Sequence, residues 1–136
     1  MRSRALPALA FAAAALSAVV LSGCAAPASV TVGYEESSVT IEDGTELVID
    51  FGEVNASVGS DWVMISEPDP SVLTHGEKVS EYAGEEGSVG GPSELAYRFT
   101  ATGTGMTKIQ FEYQFRGAVP DDPTEQRTAL IDVSVE

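Results

Sequence analysis

Side chains that could carry acid–base or nucleophilic chemistry are few in this sequence. His75 is the only histidine and Cys24 the only cysteine, and Cys24 lies at the end of an N-terminal leader. A Ser-His-Asp arrangement would need a serine beside His75 that no motif singles out. A lone histidine is more often a surface residue than a catalytic base. The sequence therefore predicts that the chain is not an enzyme.

Metal-binding chemistry is equally poorly represented. Zinc sites are built from clusters of cysteine and histidine, which one histidine cannot supply. Asp69, Asp121 and Asp122 could offer oxygen ligands to calcium, but the spacing of an EF-hand is missing. We interpret these carboxylates as solvated turn residues, and we expect neither a metal nor a cofactor.

The lone cysteine has a different meaning. Arg2 and Arg4 precede an uncharged apolar run that ends at Leu21-Ser22-Gly23-Cys24. The run has the build of a secretory signal peptide and is too short for a membrane span. The final four residues resemble the bacterial lipobox, in which the cysteine receives a diacylglycerol thioether and becomes the new N-terminus. This resemblance implies a lipoprotein signal peptide over residues 1–23, lipidation at Cys24 and a lipidated tether over residues 24–29.

The length of the remaining segment, residues 30–136, fits a single domain. Without Arg2 and Arg4, five basic residues stand against 21 acidic ones, a net charge of −16. So much negative charge disfavours nucleic acid and anionic headgroups as partners. With one cysteine, no intrachain disulfide can form. We expect a monomer in the cell envelope, anchored by its lipid to the outer face of the cytoplasmic membrane.

The pattern along the domain is that of strands. Apolar residues alternate with polar ones at period two, which is typical of half-buried strands. The alternating segments are 47–51, 109–115 and 129–135, and shorter strand-like runs lie at 30–34, 39–41, 62–65, 72–74 and 95–101. Turn residues separate them. The pattern predicts an all-β, Ig-like antiparallel β-sandwich of about seven or eight strands, with a closed barrel as the alternative.

Connections between these strands differ in length. Because antiparallel strands reverse direction at each connection, alternate loops emerge at the same end of a sandwich. Residues 52–59, 83–93 and 116–126 form long loops at one end, while 67–71 and 102–105 form tight turns at the other. Loops held on a rigid scaffold are common binding surfaces. Trp62, the sole tryptophan, is expected to anchor the core and to brace the loop that precedes it.

Residues in these loops suggest a family. The segment 55–62, Asn-Ala-Ser-Val-Gly-Ser-Asp-Trp, resembles the Asn-Pro-Thr-Thr-Gly-Tyr-x-Trp signature of chagasin-like (family I42) inhibitors of papain-type cysteine peptidases. Ala56, Val58 and Ser60 stand where the signature has Pro, Thr and Tyr. Residues 87–91 are similar to the Gly-rich second loop of the family, and 115–118 occupy the place of its Arg-Pro-Trp motif.

The resemblance implies a mechanism. In the family, three loops at one end of an Ig-like sandwich enter the cleft of the peptidase, and the first covers the catalytic thiol in a reversible, noncovalent complex. Carried onto this sequence, the inhibitory loops comprise Asn55, Ala56, Ser57, Val58 and Gly59, then Gly87, Val89, Gly90 and Gly91, and finally Phe115, Arg116 and Gly117.

Two functional hypotheses follow. The first is a lipid-anchored reversible inhibitor whose partner is a papain-like cysteine peptidase. The alternative is a non-inhibitory Ig-like cell-envelope module that binds another protein. Titration of the mature domain against papain discriminates between them.

Overall fold

A computed structural model describes residues 26–136. The predicted signal peptide and Cys24 lie outside the described residues. The strands are β1 (Ser29–Gly33), β2 (Ser38–Ile41), β3 (Glu46–Val54), β4 (Ser60–Ser66), β5 (Glu77–Tyr82), β6 (Ser93–Thr100), β7 (Gly105–Phe115) and β8 (Thr128–Val135), with one 3₁₀ turn at Ala56–Val58. Within this part of the chain no helix has the length or apolar character to cross a membrane.

These strands form two four-stranded sheets, in the orders β1-β3-β6-β5 and β2-β8-β7-β4. The predicted all-β sandwich is confirmed, and the strands of residues 26–136 do not close into a barrel. One detail of the prediction is wrong, because the sheets are not wholly antiparallel: β1 pairs in parallel with β3, and β2 with β8. The chain reverses at residues 34–37 and again at 42–45, and two reversals return β3 to the direction of β1.

The alternating segments form the core as the sequence predicts. Inward side chains of β3, β7 and β8 are almost fully buried between the sheets, because alternate residues of a strand point to the same face. They are Leu47, Ile49, Phe51, Ile109, Phe111, Ala129, Ile131, Val133 and Val135. Burial of this apolar surface is the main force that holds the sheets together.

Two segments differ from the prediction. Residues 72–74 are not a strand; Val72 and Leu73 are consecutive buried residues in the connection from β4 to β5, and Leu73 makes only an isolated bridge to Ala101. The 67–71 turn is correspondingly part of a longer connection over 67–76. The missed strand is β5, an edge strand whose residues are exposed or half-buried, so it lacks an apolar alternation that could reveal it.

Strand directions sort the connections into two groups. Since β1, β3 and β5 are parallel to one another, residues 34–37, 55–59, 83–92 and 116–127 all lie at one end of the sandwich, called the loop end here. Residues 42–45, 67–76 and 101–104 lie at the opposite end, called the closed end. The predicted clustering of the three long loops at one end is therefore confirmed.

Candidate functional site

The central loop, residues 55–59, is a short turn organised by its first residue. The Oδ1 atom of Asn55 accepts a hydrogen bond from the backbone N–H of Ser57 at 3.1 Å, and its carbonyl oxygen accepts one from Ser60 at 3.1 Å. The left-handed φ of Gly59, 103°, ends the turn. Asparagine is favoured at such a cap because its side chain replaces a missing backbone acceptor. Asn55 thus holds the loop and leaves Ser57 and Val58 exposed.

Residues 115–118 form a tight hairpin turn at the start of the third loop. The backbone N–H of each of Phe115 and Ala118 donates to the carbonyl oxygen of the other. The φ values of Arg116 and Gly117 are 52° and 82°, as a type I′ turn requires at its two central positions. Among residues 26–136, Arg116 is the only non-glycine residue with positive φ. Its guanidinium lies 5.1 Å from the centre of the Phe115 ring.

The hairpin turn and the central loop are joined through their backbones. The N–H of Arg116 donates to the carbonyl oxygen of Gly59 at 2.7 Å. A Cβ atom at Gly59 would lie 2.7 Å from Cγ and 3.1 Å from the backbone nitrogen of Arg116. Glycine is therefore required at position 59 both for its φ and for this close approach. A backbone hydrogen bond and close packing thus join the two loops.

The second loop, residues 83–92, folds around Tyr82. The Tyr82 hydroxyl lies 2.6 Å from Oγ of Ser88, and Ser88 Oγ donates to the carbonyl oxygen of Glu85 at 2.7 Å. A Cβ atom at Gly91 would lie 2.8 Å from the same hydroxyl. A Cβ atom at Gly90 would lie 4.0 Å from Cβ of Ser57. Gly90 of the second loop therefore lies near Ser57 of the central loop, with room between them for an added Cβ.

Apolar side chains are exposed along this contiguous surface. Five of the eight large apolar side chains exposed in residues 26–136 belong to the three loops or to the strand ends that meet them. One is Tyr82, whose hydroxyl is held by Ser88. The other four are Val58, Val89, Phe115 and Val119, with exposed fractions of 51%, 97%, 40% and 41%. Single exposed apolar residues are ordinary, so the feature of interest is that these four lie at one end of the domain. We call these four side chains the apolar tips.

An aromatic cluster supports the loops from below. Trp62 is buried and packs against Tyr34, Phe51 and Tyr113, with ring centroids separated by 4.9, 5.0 and 5.9 Å. The Tyr97 hydroxyl donates to the carbonyl oxygen of Trp62 at 3.0 Å, and burial raises the pKa of Tyr97. The predicted core role of Trp62 is confirmed. Such packing fixes β4 directly beneath the central loop.

One open side of the sandwich is bridged by an ion pair between edge strands. Lys78 on β5 donates to both carboxylate oxygens of Asp61 on β4 at 2.6 Å. Above this bridge, a groove of about 410 Å³ extends to Gly59 and Arg116. The bridge connects the two sheets next to the loops.

Comparison with protein families identifies residues 40–131 as matching the chagasin family of peptidase inhibitors I42. The chain belongs to the chagasin family. Comparison with curated protein sequences finds no match. Among solved structures, the chain resembles the cysteine protease inhibitor EhICP2 from Entamoeba histolytica, at 18% identity and a TM-score of 0.60 over 80% of this chain and 96% of that one. It also resembles amebosin, at 22% identity and a TM-score of 0.55 over 82% and 100% of the two chains.

Most residues that the sequence predicts for the site of this chagasin-family chain lie together. The central loop is hydrogen-bonded to Arg116 and lies near Gly90, and Phe115 and Gly117 flank Arg116. Gly87 is in open space within the second loop. Sequence reasoning missed a fourth connection at this end, residues 34–37, because the alternation of connections was counted only from the strand at 47–51. Val119 was also missed.

The residues considered for catalysis or metal binding lie elsewhere or serve turns. His75 is exposed and pairs with Glu67 at 3.1 Å. Hydrogen bonds from Ser71 lower the pKa of Asp69, and those from Thr124 lower the pKa of Asp122. Residues 26–136 contain no group of three side chains placed to hold a metal ion.

Proposed function

We propose that this protein is a lipid-anchored, reversible inhibitor of papain-like cysteine peptidases, in which the three loops enter the active-site cleft as a wedge. One observation carries the proposal: the three loops lie at one end of the sandwich, where the Arg116–Gly59 hydrogen bond joins two of them, Gly90 of the third lies near Ser57, and the apolar tips are exposed. Membership of a family of peptidase inhibitors gives the class of target.

Preorganisation explains how so small a surface can bind tightly. Binding costs free energy when mobile loops become ordered, and rigid loops avoid most of this cost. Here the cap at Asn55, the type I′ turn at Arg116–Gly117 and the packing of Tyr82 against Ser88 hold each loop before a partner arrives. Noncovalent contact suffices for inhibition, since a wedge across the catalytic thiol excludes substrate without any reaction.

Each loop has a distinct part in the proposed wedge. Ala56, Ser57 and Val58 are the exposed residues of the central loop and would cover the catalytic thiol. Val89 would extend the contact on one flank, and Arg116 with Phe115 on the other. EhICP2, described as a cysteine protease inhibitor, has the same fold and supports this choice of partner.

Titration of papain with residues 24–136 tests the proposal. We expect inhibition by the wild-type chain, and we expect Ser57→Glu to raise the inhibition constant by at least about 30-fold, because an unpaired charge desolvated at an interface costs about 2–5 kcal/mol. Thr104→Glu is the matched control, since it adds the same charge to an exposed turn at the closed end. Melting curves of both variants should overlay that of the wild type.

Three outcomes separate the hypotheses. Equal inhibition by wild type and Ser57→Glu would show that the central loop is not the contact surface. Equal loss of inhibition in Ser57→Glu and Thr104→Glu would show that the added net charge, and not its position, causes the loss. Absence of inhibition by the wild type would favour the alternative, a non-inhibitory Ig-like module of the cell envelope.

The lipid anchor is tested separately, through Cys24. Acyl chains contribute about 0.8 kcal/mol per buried CH₂, whereas a chain with so many acidic residues gains nothing from anionic lipid. In a bacterial expression host, the wild-type chain should therefore incorporate labelled palmitate and fractionate with the membrane. Cys24→Ala should do neither, and labelling of that variant would contradict the lipobox assignment.

A further inference from the structure

The position where the chain enters the sandwich is fixed at the closed end. Strand β1 begins at Ser29, which pairs with Glu46 at the start of β3, immediately after the 42–45 turn. One residue earlier, the carbonyl oxygen of Ala28 accepts a hydrogen bond from the N–H of Glu46 at 2.8 Å. The polypeptide therefore leaves the domain at the end opposite to the apolar tips.

The free tether is shorter than the domain is long. Between the proposed lipid at Cys24 and the first hydrogen-bonded residue, Ala28, the four residues 24–27 can span at most about 14 Å even when fully extended. Strand β7, with 11 residues, runs between the two ends of the sandwich and is itself about 36 Å long. A tether of this reach cannot let an upright domain turn its loop end down to the bilayer.

Charge opposes the remaining possibility, a domain that lies flat on the membrane. The chain after the leader carries a net charge of −16. Like charges repel, so an acidic domain is driven away from the negatively charged headgroups of a bacterial membrane rather than onto them. The short tether and the negative charge therefore both keep the loop end away from the bilayer.

We infer that the lipid anchor orients the inhibitor, with the apolar tips directed away from the bilayer that holds it. This inference rests on the lipid anchor of the proposed function. It restricts the partner to a peptidase that reaches the protein from the aqueous side, with its cleft facing the membrane. A peptidase held close to the same bilayer cannot present its cleft to loops that point outward.

Energy transfer to the membrane surface tests this orientation. The full lipidated chain is reconstituted in phosphatidylglycerol-containing vesicles with a headgroup-labelled acceptor. Because Cys24 is the only cysteine and is consumed by the lipid, a cysteine introduced elsewhere can be labelled alone. Val89→Cys places a donor dye at the loop end and Thr104→Cys places it at the closed end. We expect several-fold more efficient transfer from position 104 than from position 89.

A tether-length variant provides the control. Insertion of twenty Gly and Ser residues between Ala26 and Pro27 should reduce the difference between the two dye positions, because the domain is then free to tumble. Equal transfer from both positions with the native tether, or stronger transfer from position 89, would overturn the inference. So would failure of the labelled chain to float with vesicles, since no anchor would then exist.

Neither the energy-transfer measurement nor the flotation of vesicles depends on inhibition. Failure of this inference is therefore distinguishable from failure of the proposed inhibitory function. A functional arm extends the test with papain in two forms, free in solution or coupled through its lysines to lipid on the same vesicles. The vesicle-bound inhibitor should block soluble papain as well as the lipid-free chain does. It should leave most of the coupled papain active, and comparable inhibition of both forms would contradict the outward orientation.

Discussion

The two ends of this sandwich are built in opposite ways. At the closed end, Leu73 is fully buried, and backbone hydrogen bonds join Gly44 to Ala101, Ala101 to Thr45 and Thr102 to Val72. At the loop end, the four apolar tips are exposed, and the one non-glycine residue of the described chain with positive φ, Arg116, lies among them. Exposed apolar side chains toward the closed end, Ile65 and Met106, belong to regular strands. The closed end shows how this sequence satisfies its own folding, so features of the loop end that folding does not need indicate binding.

The largest effect on stability is expected at the closed end. Leu73 is 0% exposed in the connection from β4 to β5, and Leu73→Ala should leave a cavity that lowers the free energy of unfolding by about 2–5 kcal/mol. Urea denaturation measures this loss. Val89→Ala, at an apolar tip that is 97% exposed, should leave stability unchanged and weaken inhibition. Loss of stability in Val89→Ala without loss in Leu73→Ala would contradict the proposed division, in which the closed end stabilises the fold and the loop end binds.

The joint between the central loop and the hairpin turn should be the most sensitive part of the loop end. Gly59→Ala adds the cost of a left-handed residue and forces its Cβ against Arg116, so we expect stability to fall by about 1–3 kcal/mol and inhibition to be lost. Gly44→Ala is the matched control, because Gly44 at the closed end also has positive φ, 81°, but has no atom within 4 Å of the added Cβ.

Comparison of these two glycine variants isolates the contact from the strain. Melting curves should show a loss in both variants, and the loss should be larger in Gly59→Ala. Inhibition of papain should be strongly reduced in Gly59→Ala alone. Equal inhibition constants for the two variants would mean that the Arg116–Gly59 contact does not position the site.

The sequence predicted these features unequally, for physical reasons. Strands β3, β7 and β8 bury one face. Their sequences therefore alternate apolar and polar residues at period two, which predicts the strands directly. Edge strand β5 buries almost nothing, so selection for a core leaves no pattern in it. Val72 and Leu73 look like a strand because both are apolar, yet both are buried in a connection that fills the closed end.

Features of the candidate site also differ in how well the sequence predicts them. The central loop could be found from a local signature with Asn55, Gly59 and Trp62 at fixed spacing. Its contact with Arg116 joins segments far apart in the chain. The type I′ turn contains Arg-Gly, whereas the pair that usually predicts such a turn is Asn-Gly. Such long-range contacts become visible only when the sandwich is assembled.

Arg116 offers a smaller test, in which stability and binding should change in opposite directions. Asparagine tolerates the left-handed region better than arginine, so Arg116→Asn should raise the free energy of unfolding by up to about 1 kcal/mol. It also removes the guanidinium from the proposed contact surface and should weaken inhibition. Arg127→Asn removes a cation near the same loop without relieving positive φ, and should give no gain in stability.

The smallest expected effect compares two aspartates that make similar turns at opposite ends. Hydrogen bonds from Ser71 hold the pKa of Asp69 below its usual range, and hydrogen bonds from Thr124 do the same for Asp122. A carboxyl group with a lowered pKa in the folded state stabilises that state above its unfolded pKa. This contribution is lost as the pH falls through the folded pKa.

Asp→Asn variants keep the acceptor oxygen and remove only the charge. The melting temperature of Asp69→Asn should therefore lie below that of wild type near neutral pH. The difference should begin to shrink as the pH falls below about 4, the ordinary pKa of an aspartate, and should vanish only below the lowered pKa of the folded state. Asp69 N–H also donates to Oγ1 of Thr107 on β7, which ties its turn to the sandwich. Asp122 lies in the third loop, so Asp122→Asn should change melting less. A larger shift at position 122 than at position 69 would show that the loop end, and not the closed end, controls global unfolding.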